Sequence, residues 1–203
     1  MKRVILILFV LMIMVPVTAM AARNDPRYAR NSYYVPENYA TIKLGAFMPN
    51  DNDVLDNGFA IGGAIGHNFN RNFAVEIGLD YTFTNLNGNY DYNKPNMYTL
   101  GIPVTAKFIV PLSNQVDFFV GAGLGLYFTE IEFDHDYYYG NNSVDATNIG
   151  VHGLIGADIK MNSNTALTME LKYTEIEQDF NDYYNDNFNV GGTTVFIGAK
   201  FLF

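Results

Sequence analysis

Bulky apolar residues alternate with small or polar residues along most of the chain. In residues 73–83 every second side chain is bulky and apolar, and Ala, Glu, Gly, Asp and Thr occupy the positions between them. Successive side chains of a β-strand point to opposite faces, whereas a helix would scatter these two sets around its circumference. The pattern therefore predicts a strand with one apolar and one polar face.

Seven further segments show the same alternation, and none of the stretches between them has a helical period. The eight predicted strands are residues 40–48, 58–68, 73–83, 98–108, 118–128, 149–159, 167–173 and 195–203. Eight strands without intervening helices predict an all-β protein in which consecutive strands pair antiparallel.

The charged residues of the predicted strands all lie on the polar face. They are Lys43, Glu76, Asp80, Lys107, Asp158, Lys160, Glu170, Lys172 and Lys200. Eleven of the 18 Gly lie on the same face. A soluble barrel would turn the apolar face inward, whereas a membrane barrel would turn it toward lipid and enclose the polar face.

Three features favour the membrane barrel. Long predicted connections of 9, 13, 18 and 15 residues alternate with short turns, as the external loops and periplasmic turns of outer-membrane barrels do. Glycines would weaken a soluble sheet without any packing return, whereas in a narrow lumen they leave room for long charged side chains. The last strand ends on its apolar face at Phe203.

In a membrane barrel the nine charged strand residues would line the lumen. Five Lys would face four carboxylates, which predicts ion-pair networks close to neutrality. An eight-stranded barrel is just wide enough for side chains to fill it. The charges therefore indicate either a gated narrow pore or a neutral filling of the lumen, and we favour the filling.

Residues 1–21 have the three parts of a secretory signal peptide. A basic start precedes fourteen apolar residues at 4–17, and small residues precede a cleavage site after Ala21. The apolar run is shorter than the roughly 20 residues that a spanning helix needs. We therefore predict an exported chain in which residues 22–38 form a periplasmic segment and residues 39–203 form the barrel.

Composition narrows the function classes further. The chain has 21 Asp and Glu against 12 Lys and Arg, a formal charge of −9, and no Cys. An acidic chain lacks the basic surface of a nucleic-acid binder, and the absence of Cys excludes disulfides and thiolate metal sites. The His and Asp residues lack the spacing of a metal site, so no metal and no cofactor is predicted.

The predicted external loops carry most of the acidity. They hold 14 of the 21 carboxylates and a single base, Lys94. The candidate acidic surface comprises Asp51, Asp53, Asp56, Glu132, Asp134, Asp136, Glu177, Asp179 and Asp182. Together with seven loop Tyr it could recognise an external ligand or hold divalent cations shared with lipopolysaccharide phosphates. A solvated acidic surface is the simpler alternative, and we favour it.

Several short phrases carry a family resemblance. They are YATIKLGAFMP at residues 39–49, GIPVTAKF at 101–108 and VGAGLGLY at 120–127. With the signal peptide and the terminal Phe203, the chain resembles the small eight-stranded outer-membrane proteins, the OmpA/OmpX/OmpW-like barrel domains. The resemblance implies an eight-stranded antiparallel up-and-down transmembrane β-barrel that contacts outer-membrane lipid and lipopolysaccharide. It also implies that the assembly machinery recognises the C-terminal strand, with Phe203 as the signal.

The chain lacks the Trp of the usual interfacial girdle. Other aromatic residues could replace it, at the outer rim Tyr81, Phe83, Tyr98, Tyr127, Phe128 and Tyr173, and at the inner rim Phe69, Phe73, Phe108, Phe118, Phe201 and Phe203.

Two functions remain open at this point. The first is a non-enzymatic envelope protein that contributes to membrane integrity or surface adhesion. The second is an OmpW-like narrow channel for small or hydrophobic solutes, for which Phe47, Tyr127 and Leu154 are the candidate apolar lining of the upper lumen. Catalysis is not predicted, because none of the four Ser lies in a strand near the outer interface, where a nucleophile would be needed.

Overall fold

The computed structural model describes residues 38–51, 55–86, 96–132, 143–178 and 188–203, with the backbone alone at 143–144, 177–178 and 188–189. These residues form ten strands: β1 Asn38–Pro49, β2 Gly58–Asn68, β3 Phe73–Asn85, β4 Asn96–Pro111, β5 Val116–Glu132, β6 Ser143–Lys160, β7 Thr165–Glu175, β8 Glu177–Gln178, β9 Phe188–Asn189 and β10 Gly192–Leu202. No helix among them is long and apolar enough to cross a membrane. The predicted signal peptide and residues 22–37 lie outside the described residues.

Eight of the strands close into one barrel, and the predicted fold class is confirmed. Each strand pairs antiparallel with its neighbours in the order β1-β10-β7-β6-β5-β4-β3-β2, and β8 pairs with β9 alone. The seam between β1 and β10 closes at Asn38, whose N–H donates to the Phe203 carbonyl at 3.1 Å and whose carbonyl accepts the Phe203 N–H at 2.9 Å.

The strands are strongly staggered around the barrel. The stagger is seen by following paired residues from strand to strand around the barrel. Starting at Tyr39, each residue pairs with the next in the series Gly66, Glu76, Thr105, Gly123, His152, Thr174, Gly192 and Pro49. One circuit therefore ends ten residues further along β1, from position 39 to position 49. Strand number and stagger together fix the tilt and width of a barrel, and eight strands leave an interior that side chains can fill.

The strands β4, β5 and β6 extend further outward than the sequence pattern predicts. Pairing between β5 and β6 continues to Glu132 and Ser143, so much of the predicted 18-residue loop belongs to the wall. Glu132 is therefore a strand residue, not a loop residue. The sequence pattern misses this part because the apolar and polar faces exchange there: Glu130 and Glu132 lie on the outer face, whereas Ile131 is buried in the lumen.

The outer face of the barrel is apolar and exposed, which decides between the two candidate barrels. Leu124 is 59% exposed and Ile197 is 54% exposed, whereas the strand charges of the opposite face, except Lys160, are at least nine-tenths buried. Leaving so much apolar surface in water would be unfavourable, whereas lipid solvates it. Near the outer interface, Tyr81 stacks on Tyr98 at a ring distance of 6.2 Å. Tyr127, which was expected in this girdle, instead points into the lumen and is buried.

One strand seam lacks a hydrogen bond in the middle of the wall. The Ile109 N–H donates toward β3, to the Asn72 carbonyl, whereas the Leu112 N–H donates toward β5. Odd-numbered residues of β4 therefore face β3, and Pro103 is one of them. Proline has no N–H, and the pairing between β3 and β4 is interrupted at its position, opposite Gly78.

We expect Pro103→Val to stabilise the barrel by about 1 kcal/mol, because it returns the missing donor to the β3–β4 seam. The free energy of unfolding would be measured by urea titration in lipid vesicles. Pro111→Val at the exposed last position of β4 is the matched control and should change little. An equal effect of the two substitutions would contradict the assignment of the gap to Pro103.

Candidate functional site: the lumen and the outer rim

Eight of the nine charged strand residues point into the lumen and are buried there. They are Lys43, Glu76, Asp80, Lys107, Asp158, Glu170, Lys172 and Lys200. Four Lys and four carboxylates leave this set with no net charge. Lys160 differs, because it lies at the last position of β6 with a side chain that is 39% exposed, and it pairs with Asp117 at 2.8 Å. Lys160 is thus a residue of the periplasmic rim.

Glu170 is the centre of the largest ion-pair network. It accepts a hydrogen bond from Lys43 Nζ at 2.7 Å, and Lys107 Nζ lies 3.4 Å from its other oxygen. Lys107 also pairs with Glu76 at 2.8 Å, and Glu76 accepts a hydrogen bond from the Tyr39 hydroxyl at 3.0 Å. Charge-assisted bonds that link strands across the lumen hold the opposite walls of the barrel together.

Two further ion pairs lie above and below this network. Lys172 pairs with Asp80 at 2.5 Å, and Lys200 pairs with Asp158 at 2.7 Å. Aromatic rings cover three of the Lys ammonium groups. The nitrogen lies 4.8 Å from the ring centre for Lys43 over Phe196, 4.6 Å for Lys107 over Phe119 and 4.1 Å for Lys200 over Tyr39. Such cation–π contacts are strongest where both groups are desolvated.

The lumen glycines mainly seat aromatic rings, which differs from the expectation that they make room for charges. A Cβ on Gly101 or Gly150 would lie 2.7 Å from the Tyr127 ring, and a Cβ on Gly45 would lie 2.7 Å from Phe196. Gly66 is overlaid by the ring of Tyr39 in the same way. Each ring lies flat against the wall over a glycine, which keeps the lumen densely packed.

Apolar layers lie at the two ends of the lumen. The outer layer comprises Leu55, Met97, Tyr127, Ile131, Ile176 and Val190. The periplasmic layer comprises Tyr39, Ala74, Ile109, Phe119 and Leu154. Leu154 was expected in the upper lumen, but it belongs to the periplasmic layer. Phe47 packs with Ala60 and Phe196.

One small cavity lies between the outer apolar layer and the ion pairs. Its volume is about 30 Å³, and its lining includes Phe47, Tyr127, Asp80, Lys172 and Val190. A water molecule needs about 10–15 Å³ of such volume, so the cavity holds about two. It does not continue through the described part of the lumen, because the network around Glu170 lies beneath it.

Two residues, one in the lumen and one at its periplasmic rim, were not identified from the sequence. His152 is buried, and its Nε2 lies 2.8 Å from the Thr105 hydroxyl. Asp117 was placed outside the predicted strand 118–128. The alternation could have identified Asp117, since it shares its parity with Phe119 and Gly121, which face the lumen.

The acidic surface is only partly described. Asp51 and Asp56 lie in the first external connection, and Glu132 ends β5. The remaining predicted members, Asp53, Asp134, Asp136, Asp179 and Asp182, lie outside the described residues, as does the side chain of Glu177. In the part of the chain that the structure describes, no three His, Asp or Glu residues gather as a metal site.

The closed barrel, its lipid-facing apolar surface and its charged lumen point to one class of protein, and a family comparison agrees. Residues 7–196 match the model of the outer membrane protein beta-barrel domain. The chain belongs to this family. Members of the family are embedded in the outer membrane, so the apolar outer face contacts lipid.

Solved barrels are similar to this member of the family in fold. Neisserial surface protein A is 18% identical with a TM-score of 0.59, over 83% of this chain and 98% of that chain. The N-terminal barrel of Pseudomonas aeruginosa OprF is 14% identical with a TM-score of 0.48, over 82% and 98%. Yersinia pestis Ail is 14% identical with a TM-score of 0.48, over 83% and 100%. No curated protein matches the chain in sequence.

Proposed function

We propose that this protein is a non-enzymatic, non-conducting outer-membrane barrel that contributes to envelope integrity and acts through its external surface. The lumen carries this proposal. In the described part of the barrel, two apolar layers and a neutral set of buried ion pairs occupy the lumen, and a cavity of about 30 Å³ lies between them. A hydrated ion would have to displace several of these contacts to pass.

Reconstitution into planar bilayers tests the closed lumen. We expect the full chain to give no unitary conductance steps, because both ends of the lumen are apolar and the ion pairs between them are buried. A trimeric porin in the same bilayer setup confirms that insertion and steps are detectable. The proposal would be contradicted by conductance steps of one reproducible size that persist after the protein is repurified and refolded.

The non-enzymatic part of the proposal is supported by the positions of the two serines whose side chains the structure describes. The hydroxyl of Ser113 accepts hydrogen bonds from the Gln115 and Val116 N–H groups of its own periplasmic turn. Ser163 donates to its neighbour Asn164 in another such turn. Neither lies near His152, which is enclosed in the lumen.

Contacts with the membrane and its assembly machinery are part of the same proposal. The acidic outer rim would share divalent cations with lipopolysaccharide phosphates, since carboxylates are ligands that Ca²⁺ and Mg²⁺ prefer. The C-terminal strand, ending at Phe203, would be the segment that the assembly machinery recognises. The position of Phe203 supports this role, because Phe203 lies on the seam between β1 and β10 and pairs there with Asn38.

A narrow channel for small or hydrophobic solutes is the second candidate. The cavity favours it, because Phe47 and Tyr127 supply apolar lining beside the Lys172–Asp80 pair. Solute entry would require the outer layer to open, and passage would require a lateral exit above the Glu170 network. Uptake of an apolar dye into vesicles that contain the protein, at a rate above that of empty vesicles, would favour this function.

A further inference from the structure

The imidazole ring of His152 is held in one position inside the lumen. The ring reaches across β5 at Gly123, where an added Cβ would lie 2.7 Å from its Nε2. Nε2 lies 2.8 Å from the hydroxyl of Thr105 on β4. Because His152 is only 4% exposed, the ring is almost completely shielded from bulk water.

The second nitrogen of this ring has no partner. Nδ1 is buried and forms no hydrogen bond within the described part of the chain. A neutral imidazole carries one N–H, so either neutral tautomer bonds to Thr105 through Nε2. A protonated ring carries an N–H on Nδ1 as well, and a buried charged donor without an acceptor is costly. The surroundings of His152 therefore accommodate the neutral ring.

The charges around His152 already balance. Since Thr174 pairs with His152, Lys172 is the diagonal neighbour of His152 on the lumen face of β7. The buried hydroxyl of Tyr127 lies on β5. The charged groups on the lumen face of the surrounding strands are three Lys and three carboxylates: Lys43 on β1, Glu76 and Asp80 on β3, Lys107 on β4, and Glu170 and Lys172 on β7. A proton on His152 would therefore place an uncompensated positive charge beside Lys172.

Asp80 is the carboxylate with the fewest ties. Glu76 and Glu170 each accept from two side chains. Among the described residues the one ion pair of Asp80 is with Lys172, at 2.5 Å. Asp80, Lys172 and Thr174 also line the cavity of about 30 Å³, so this pair has space beside it. The Lys172–Asp80 pair is thus the contact that an imidazolium would disturb first.

We propose that His152 is an acid-sensitive switch in the lumen, and that its protonation draws Asp80 away from Lys172. The imidazolium and the Lys172 ammonium would compete for one carboxylate and repel each other. Loss of the pair would loosen the lumen between the outer apolar layer and the network around Glu170. The inference adds a response to acidity and holds whether or not the lumen conducts, so it does not rest on the closed-lumen proposal.

Linkage gives the direction of the effect on stability. In the unfolded chain the ring is hydrated and gains a proton below about pH 6.5. In the folded chain the same proton has no acceptor until the Lys172–Asp80 pair breaks. The unfolded state therefore binds the extra proton, and stability falls as the pH falls. A difference of one proton raises the equilibrium constant for unfolding by up to about tenfold for each pH unit.

The first measurement is urea unfolding of the full refolded chain in lipid vesicles at neutral pH and at about pH 5. His152→Gln keeps a polar side chain that bonds to Thr105 but carries no charge at either pH. We expect acid to raise the unfolding equilibrium constant of the native chain roughly tenfold more than that of His152→Gln.

His67→Gln is the matched control. It makes the same chemical change outside the lumen, at the periplasmic end of β2, where the His67 ring lies 2.9 Å from the side-chain oxygen of Asn38. We expect His67→Gln to keep the acid response of the native chain.

The second measurement needs no substitution, so it decides the question even where His152→Gln does not fold. NMR of the native chain in lipid nanodiscs, with isotope-labelled His and Lys, follows the His152 ring and the Lys ammonium groups during an acid titration. We expect the ring to gain its proton together with a change at Lys172. The signal of Lys43, whose carboxylate is Glu170, should not change at that step.

Three results would overturn the inference. They are equal acid responses of the native chain and His152→Gln, loss of the response in His67→Gln, and protonation of His152 without any change at Lys172. None of these measurements records conductance, so their failure is distinct from a failure of the closed-barrel proposal.

Discussion

Glu170→Gln is expected to lower the free energy of unfolding by about 3–5 kcal/mol, the usual effect of removing one partner of a buried ion pair. Glu170 is 3% exposed and contacts both Lys43 and Lys107. Its amide replacement has nearly the same volume but no charge, so Lys43 is left in the lumen without its carboxylate. The change is measured by urea unfolding in lipid vesicles. Far-UV circular dichroism follows the transition, because the chain has no Trp for fluorescence.

The rim pair provides a matched control for this prediction. Asp117→Asn makes the same chemical change in the pair with Lys160, whose side chain is 39% exposed. Because solvent screens that pair, we expect a loss of about 0–1 kcal/mol. Equal losses for the two variants would show that the buried network does not stabilise the barrel in the way its geometry indicates.

Gly66→Val is expected to be the second most damaging substitution, with a loss of about 1–3 kcal/mol from overpacking. A Cβ on Gly66 would lie 2.6 Å from Cε1 of Tyr39, and Tyr39 is completely buried. The ring cannot move without giving up its hydrogen bond to Glu76. Equilibrium unfolding of the variant in vesicles gives the magnitude.

The lipid face offers a control glycine. Around Gly153 the nearest atom to an added Cβ is 3.9 Å away, so Gly153→Ala is expected to be neutral or slightly stabilising. Gly66→Val should cost less in a Tyr39→Ala background than in the native chain, since the overlap is then removed. If Gly66→Val costs as much in both backgrounds, the ring is not the cause of the strain.

Period-two alternation was enough to predict the barrel and the inward face of its strands. It assigns Lys43, Glu76 and Glu170 to one face because the apolar residues around them must meet lipid. It also places the long connections together, since hairpins alternate in direction. Each of these features can be predicted from the residues of one strand, without knowing how that strand pairs with its neighbours.

Pairings across the lumen could not be predicted, because they depend on stagger. A shift of two residues in any seam would keep every side chain on its face but would give Lys107 different partners. Lys160 shows a second limit, since parity does not say where a strand leaves the membrane. The upper ends of β5 and β6 show a third, because polar side chains replace apolar ones on the outer face there while pairing continues.

The seam between β1 and β10 has a consequence for how fast the barrel forms. Its partners, such as Asn38 and Phe203, are separated by 165 positions (203 − 38), whereas other seams join neighbours in the chain. Closing so long a loop is entropically costly, and contacts of high sequence separation slow folding. Until this seam closes, the sheet has two free edges with which another chain can pair. Association between chains therefore competes with closure, the last step of folding.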